Sequence, residues 1–198
     1  ILTYHDAEFT IPNDYNLGTE SSIGLFRVMK DGRWGVLNQK KELITNKSYT
    51  YIEDYKGCYA VVINDDKDFV SYFGEFGNHC GNLRMGLIDT TGEEALALEY
   101  EDLWIHDNGY IIASRDGIYG ILSPSLNWIV TPRFSNIEML NDSHFLATID
   151  GKEKLFDYGG NEIPLEDFDE IETLSNGFYK LTRIGRYNLL CVVNSQGK

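Results

Sequence analysis

A repeat of 34 residues governs what this chain can fold into. Gly86, Gly120 and Lys154 stand 34 apart, and Met85-Gly86-Leu87-Ile88-Asp89 matches Tyr119-Gly120-Ile121-Leu122-Ser123 and Trp34-Gly35-Val36-Leu37-Asn38. Lys154-Leu155-Phe156-Asp157 and Cys191-Val192-Val193-Asn194 continue the series. A second column, Tyr49, Tyr100, Phe134 and Phe168, lies 14 residues after the glycine position, and Ile52, Leu103, Ile137 and Ile171 follow it by three. Tyr15 carries that column back one period. A period of this length marks an array in which each unit is one supersecondary element that buries its apolar face only against its neighbours. The units begin near residues 1, 35, 86, 120 and 154, running 1–34, 35–85, 86–119, 120–153 and 154–190, with a partial unit from Cys191. Ile1 in place of Met, and an array that stops seven residues after Cys191, fit an excerpt from a longer array, with a closing strand as the alternative for the last segment.

Within each unit the pattern is β. Phe26 with Val28, Tyr59 with Val61, Ile111 with Ala113, Phe145 with Ala147 and Tyr179 with Leu181 alternate at period two, which aims each pair at one face. Asp31-Gly32, Asp116-Gly117 and Asp150-Gly151 follow, and such pairs supply the positive φ of a tight hairpin. After the glycine column come Asn38, Asp89, Ser123, Asp157 or Asn194, with Gly92, Gly160 or Gly197 three residues later in three units, the residue choice of a type I turn. A third apolar segment closes the unit, and Pro132 and Pro164 place it at a sheet edge or make it leave the sheet there, because proline has no N–H to donate. The expected fold is therefore all-β, a tandem array of short three-stranded antiparallel units. An open, solenoid-like stack is favoured over a closed, propeller-like ring, which would require a fixed number of units.

Lys30-Asp31-Gly32-Arg33-Trp34-Gly35-Val36-Leu37-Asn38, with an aromatic-x-x-Ile downstream, resembles the bacterial WG repeat, also called KWG. The resemblance covers nearly the whole chain, with Met85-Gly86, Tyr119-Gly120, Glu153-Lys154 and Leu190-Cys191 in place of Trp-Gly elsewhere. It implies an interaction or scaffold element and brings no catalytic residue with it.

Composition and motif content point away from chemistry. With 31 Asp and Glu against 17 Lys and Arg, the net charge of −14 repels phosphate backbones and anionic lipid, so neither nucleic acid nor a membrane surface is expected as partner. The longest apolar run, Leu189 to Val193, is far short of a membrane span. Cys58, Cys80 and Cys191 have neither disulfide-framework nor zinc spacing. His5, His79, His106 and His144 are scattered, and no nucleophile elbow, P-loop or dinucleotide fingerprint is present. No enzyme activity, no cofactor and no metal is expected.

Three surface features remain. The hairpin between Tyr59 and Gly86 is 18 residues longer than its counterparts, an insertion of about residues 64–81. In it Phe69, Tyr72, Phe73 and Phe76 fall at i, i+3, i+4 and i+7, which would gather the four rings on one helical face as a partner-binding protrusion, or as a lid over an apolar edge. Asn64, Asp66, Asp68 and Glu75 follow the ligand spacing of a calcium loop, but Phe69 stands where the turn glycine belongs, so a solvated acidic turn is expected instead. Finally, Glu53, Asp54, Glu99, Glu101, Asp102, Glu166, Asp167, Asp169, Glu170 and Glu172 recur around the aromatic-x-x-Ile column. Stacked, they form an acidic stripe that steers a basic partner or keeps exposed strands from pairing. The function expected is a non-enzymatic protein-interaction or scaffold module with a protein partner, basic if the stripe steers it; the alternative is a carbohydrate or other small ligand stacked on Tyr72 or Trp104.

Overall fold

Two turn types, both legible in the repeat, set the strand lengths. At Asp31-Gly32, Asp116-Gly117 and Asp150-Gly151 both residues have φ between 50° and 75°, the type I′ geometry whose twist matches that of the strands it joins. At Asn38, Asp89, Ser123 and Asp157 the carbonyl accepts from the N–H three residues on, at 2.9–3.1 Å. The side chain of the same residue accepts from the N–H of Glu42, Glu93, Asn127 or Asn161. The last residue of each such turn is left-handed: Gly92 and Gly160 at φ 84° and 77°, but also Lys41 at 65° and Leu126 at 62°.

The computed structural model describes residues 15–65, 83–141, 143–165, 168, 170–174, 178–183 and 189–194. All regular structure among them is antiparallel β; there is no helix, and so none long and apolar enough to cross a membrane. The chain divides into two compact units, Ile1–Asp116 and Gly117–Lys198.

In the first unit β1 (Leu17–Glu20), β2 (Phe26–Lys30) and β3 (Arg33–Leu37) form one sheet, and β4 (Tyr51–Ile52), β5 (Tyr59–Asp65), β6 (Leu83–Asp89) and β7 (Glu94–Tyr100) form the next. A hairpin of β8 (Asp102–Ile105) and β9 (Ile111–Arg115) completes it. The second unit holds the pair β10 (Ile118–Leu122) and β11 (Trp128–Phe134). It continues with the sheet β12 (Asn136–Met139), β13 (His144–Ile149), β14 (Lys152–Asp157), β15 (Glu162–Ile163) and the sheet β16 (Glu170–Thr173), β17 (Tyr179–Arg183), β18 (Leu189–Val193). No sheet closes into a barrel.

The tandem array of short antiparallel units is observed, some sheets having three strands and others four. The added strand is the aromatic-x-x-Ile segment. Tyr100 ends β7 and Leu103 lies in β8; Phe134 ends β11 and Ile137 lies in β12, with Glu101 or Ser135 alone between the strands. One sequence period thus finishes one sheet and starts another. β11 lies at the edge of its sheet, as Pro132 requires.

The glycine column has a steric cause. Met85 pairs with Tyr100 and Leu87 with Leu96, so two steps along β6 oppose four along β7; Tyr119, Ile121, Val130 and Phe134 repeat this between β10 and β11. The surplus residues bulge over the glycine. A Cβ on Gly86 would stand 2.6 Å from the Leu96 carbonyl oxygen, and one on Gly120 2.6 Å from that of Val130. At Lys154, which stands in the glycine's place, the described pairing lies on one side only: Leu155 pairs with Ile163 and Phe156 with Glu162 in register. The Lys154 ammonium there donates to both Glu162 oxygens at 2.9 and 3.0 Å.

Neighbouring sheets supply each other's core. In the first unit Val36 of β3, with Tyr49 bridged to Trp34 on the same strand, is buried against Ile52, Ala60, Val62 and Ile88 of the following sheet. In the second, Leu146 and Leu155 meet Tyr179, Leu181 and Val193. Each such side chain contributes about 1.5–3 kcal/mol when fully buried, and a sheet standing alone would forfeit that on both faces.

Candidate functional site

The long hairpin is the most distinctive surface element, and its base is built with care. β5 and β6 pair without interruption out to Asp65 and Leu83. At the far end the Asn64 Oδ1 accepts from the Thr50 N–H at 3.0 Å and from Arg33 Nη1 at 3.4 Å, and the same guanidinium nitrogen donates to Thr50 Oγ1 at 3.0 Å. On the returning strand Arg84 pairs with Glu101 at 3.3 Å. Side chains around the base of the hairpin therefore brace its two strands. Phe69, Tyr72, Phe73 and Phe76 lie outside the described residues, as do Asp66, Asp68 and Glu75.

Asn64 is thereby removed from the calcium spacing as a free ligand. Its oxygen is already an acceptor for two donors, one of them a guanidinium that would repel a cation. Among the described residues no group of His, Cys, Asp and Glu is placed to hold a metal ion.

The acidic column is partly neutralised in place. Glu99 pairs with Arg115, Glu101 with Arg84 and Glu172 with Lys180, while Glu166, Asp167 and Asp169 lie outside the described residues. Burial pushes the Glu53 carboxyl up, and the charges of Lys56 and Arg27 only partly offset it. Two cations also close strand edges. Arg27 Nη1 donates to the Ile52 carbonyl of β4 at 2.9 Å, with Asp54 4.0 Å from its Nε. Lys56 Nζ donates to the Ile105 carbonyl at the end of β8 at 3.0 Å and approaches Asp107 at 3.4 Å. A carbonyl occupied in this way is withdrawn from pairing with another chain.

A second polar cluster, in the second unit, centres on Asn141. Its Nδ2 donates to Tyr179 Oη at 2.7 Å, its Oδ1 accepts from the N–H groups of Ser143 and His144 at 2.9 and 3.0 Å, and its carbonyl accepts from Tyr158 Oη at 2.9 Å. His144, buried, sets its ring edge-on to Tyr179. Asn141 thus ties the sheet of β12–β15 to that of β16–β18. Neither it nor Arg27 and Lys56 belongs to a repeating column, so periodicity could not find them.

An open groove of about 1310 Å³ runs past Lys152, Lys154, Phe156, Gly160, Leu165 and Phe168, but Phe156 is buried and Phe168 half-buried. Trp104, on the edge strand β8, is 50% exposed and makes an edge contact with His106 at 5.8 Å. Cys58 is an exposed free thiol.

These features define an all-β tandem repeat protein. Its residues 34–67 and 85–117 match the family model described as WG containing repeat. No curated protein matches the sequence. Among solved structures, one titled "Crystal structure of the eukaryotic initiation factor" is similar at a TM-score of 0.46 and 8% identity. The alignment takes in 93% of this chain and 53% of that one, so the chain spans about half the length of that structure.

Proposed function

We propose that the chain is a non-enzymatic protein-interaction or scaffold module whose partner, a protein with basic character, is engaged by the insertion between β5 and β6. The observation that carries this reading is the braced stem: a hairpin extended to Asp65 and Leu83, tied by Arg33, Thr50 and Asn64, that presents a segment with Phe69, Tyr72, Phe73 and Phe76 in helical spacing. A rigid mount lowers the ordering cost of binding, and aromatic side chains are the usual anchors of an interface. The test replaces all four rings by serine and compares affinity capture by the full chain from cells that make it. The partner captured by the parent chain at 150 mM salt should be lost, with the melting temperature kept within about 2 °C. Capture that survives the quadruple change overturns the assignment.

A second reading, carbohydrate recognition, rests on Trp104 alone. An indole half in solvent offers a stacking platform, and quenching of its fluorescence by oligosaccharides, absent in Trp104→Ala, is the measurement that would favour it.

A further inference from the structure

The strand that opens each sheet is an edge, and two of these edges carry a cation. The Ile52 carbonyl of β4 accepts from Arg27 at 2.9 Å, and the Ile105 carbonyl of β8 accepts from Lys56 at 3.0 Å. β12 holds the same place in its own sheet, paired with β13 and with no strand on its other side. The Leu140 N–H donates to the His144 carbonyl at 3.2 Å, and in an antiparallel ladder such bonded pairs recur at every second residue. Glu138 is therefore the residue bonded to Leu146, and the N–H and C=O groups of Ile137 and Met139 point away from β13. Among the described residues, no cation or other donor meets either carbonyl and no acceptor meets either N–H.

The side chains on this edge select what can pair with it. Asn136 and Glu138 are exposed on one face of β12, while Ile137 is buried on the other. Glu138 stands in the same column as Glu172, 34 residues on. Glu172 faces Lys180 across the strand pair and is bound to it, whereas Glu138 faces Leu146 and has no cation among the described residues. A lone carboxylate beside an open ladder favours Lys or Arg on an incoming strand, because opposite charges across a strand pair attract and like charges repel. A second copy of this chain fits badly. The antiparallel register that uses both residues sets Ile137 of one copy against Met139 of the other and Glu138 against Glu138, with both chains carrying a net charge of −14.

We infer that β12 is a docking edge for an extended basic segment of a partner protein. The segment adds a strand outside Asn136–Met139, hydrogen-bonds to the main chain of Ile137 and Met139, and sets a Lys or Arg beside Glu138. The inference rests on the interaction-module reading and gives it a second contact of defined conformation. Its test does not involve the insertion, so either can fail alone.

The probe is a short synthetic peptide in which lysine alternates with threonine and valine, alongside a counterpart with glutamate for lysine. Titrated into the full chain at about 0.15 M salt, where remote charges are screened, the lysine peptide should bind and slow amide hydrogen exchange at Ile137 and Met139 by at least about tenfold. The glutamate peptide should not bind. Met139→Pro removes an outward N–H and leaves the bonds between β12 and β13 in place, as an edge position allows, so binding should be lost with exchange in β13 unchanged. Glu138→Lys, an exposed change, should weaken the lysine peptide about five- to tenfold and let the glutamate peptide bind. Equal binding of the two peptides, no binding of the lysine peptide up to about 1 mM, or binding that leaves exchange at Ile137 and Met139 as it was would overturn the inference. So would affinity that survives both Met139→Pro and Glu138→Lys. Sedimentation showing that the parent chain dimerises and that Met139→Pro abolishes the dimer would also overturn it, since a second copy would then be the occupant.

Discussion

Replacing Gly120 by alanine adds one methyl group where backbone already stands. The new Cβ would lie 2.6 Å from the Val130 carbonyl oxygen, 2.8 Å from the Pro132 nitrogen and 2.7 Å from Trp128 Cζ3. Ordinary contact begins near 3.4 Å, so the bulge of β11 must retreat by about 0.8 Å, and with it the strand that ends in the buried Phe134. Overpacking of this kind costs about 1–3 kcal/mol. Loss of glycine's freedom in the unfolded chain returns about 0.4–1 kcal/mol. The net is a loss of roughly 1–2 kcal/mol, or about 2–8 °C in melting temperature for a chain of this size. Gly86→Ala meets the Leu96 carbonyl at 2.6 Å and should cost nearly as much. Gly35→Ala should cost less, because its neighbours are the side-chain atoms Leu43 Cδ1 and Thr45 Oγ1 at 2.9 and 3.1 Å, which can turn aside. Lys154→Ala, where the parent side chain already places a Cβ in the column, should stay within about 0.5 kcal/mol. Urea denaturation and thermal melts of the four variants give the ranking. A neutral Gly120→Ala, or Lys154→Ala as damaging as Gly120→Ala, refutes the bulge as the reason for the column.

Three further outcomes follow from the turns and the polar cluster. Leu126→Gly and Lys41→Gly should each raise stability by up to about 1 kcal/mol in urea titrations, because both residues hold left-handed backbone where their counterparts are Gly92 and Gly160. Asn141→Ala should cost about 2–3 kcal/mol by leaving the Ser143 and His144 N–H groups and the Tyr179 hydroxyl without their partner. Asn141→Asp should be milder, since the carboxylate still accepts from both N–H groups and the Tyr179 O–H can turn to donate. Burial alone would raise the Asp157 carboxyl, but hydrogen bonds from the Asn161 side chain and from the N–H groups of Asn161 and Gly159 outweigh it and hold its pKa below the ordinary value. Its contribution is then complete above the unfolded pKa of about 4 and lost as pH falls through the lower folded value. The stability gap between the parent and Asp157→Asn, measured from pH 7 to pH 2, should close only in the acid range.

The columns that could be read in the sequence are those whose physics repeats. The Asp-Gly hairpins, the polar turn residues and the aromatic-x-x-Ile each answer a backbone need that recurs every period. The break between sheets could not be read, because Glu101 and Ser135 are ordinary residues, and the two strands around each look like one apolar stretch. Face assignment in β5 slipped for a related reason. Spacing from the turn makes Tyr59 the counterpart of Phe26, yet pairing shows Ala60 opposite Ile88 where Phe26 is opposite Leu37. The insertion lengthens that hairpin and hides the shift. Arg27, Lys56 and Asn141 act through contacts made once each, and a single long-range contact leaves no periodic trace.

Because each period finishes one sheet and opens the next, no single repeat owns a sheet. Cut the gene at any phase and remove or duplicate one whole period, and every internal sheet is still assembled from a complete set of strands, now drawn from different ancestors. Growth and shrinkage of such a protein therefore need no fixed splice point, whereas a change of half a period would leave two sheets defective at once.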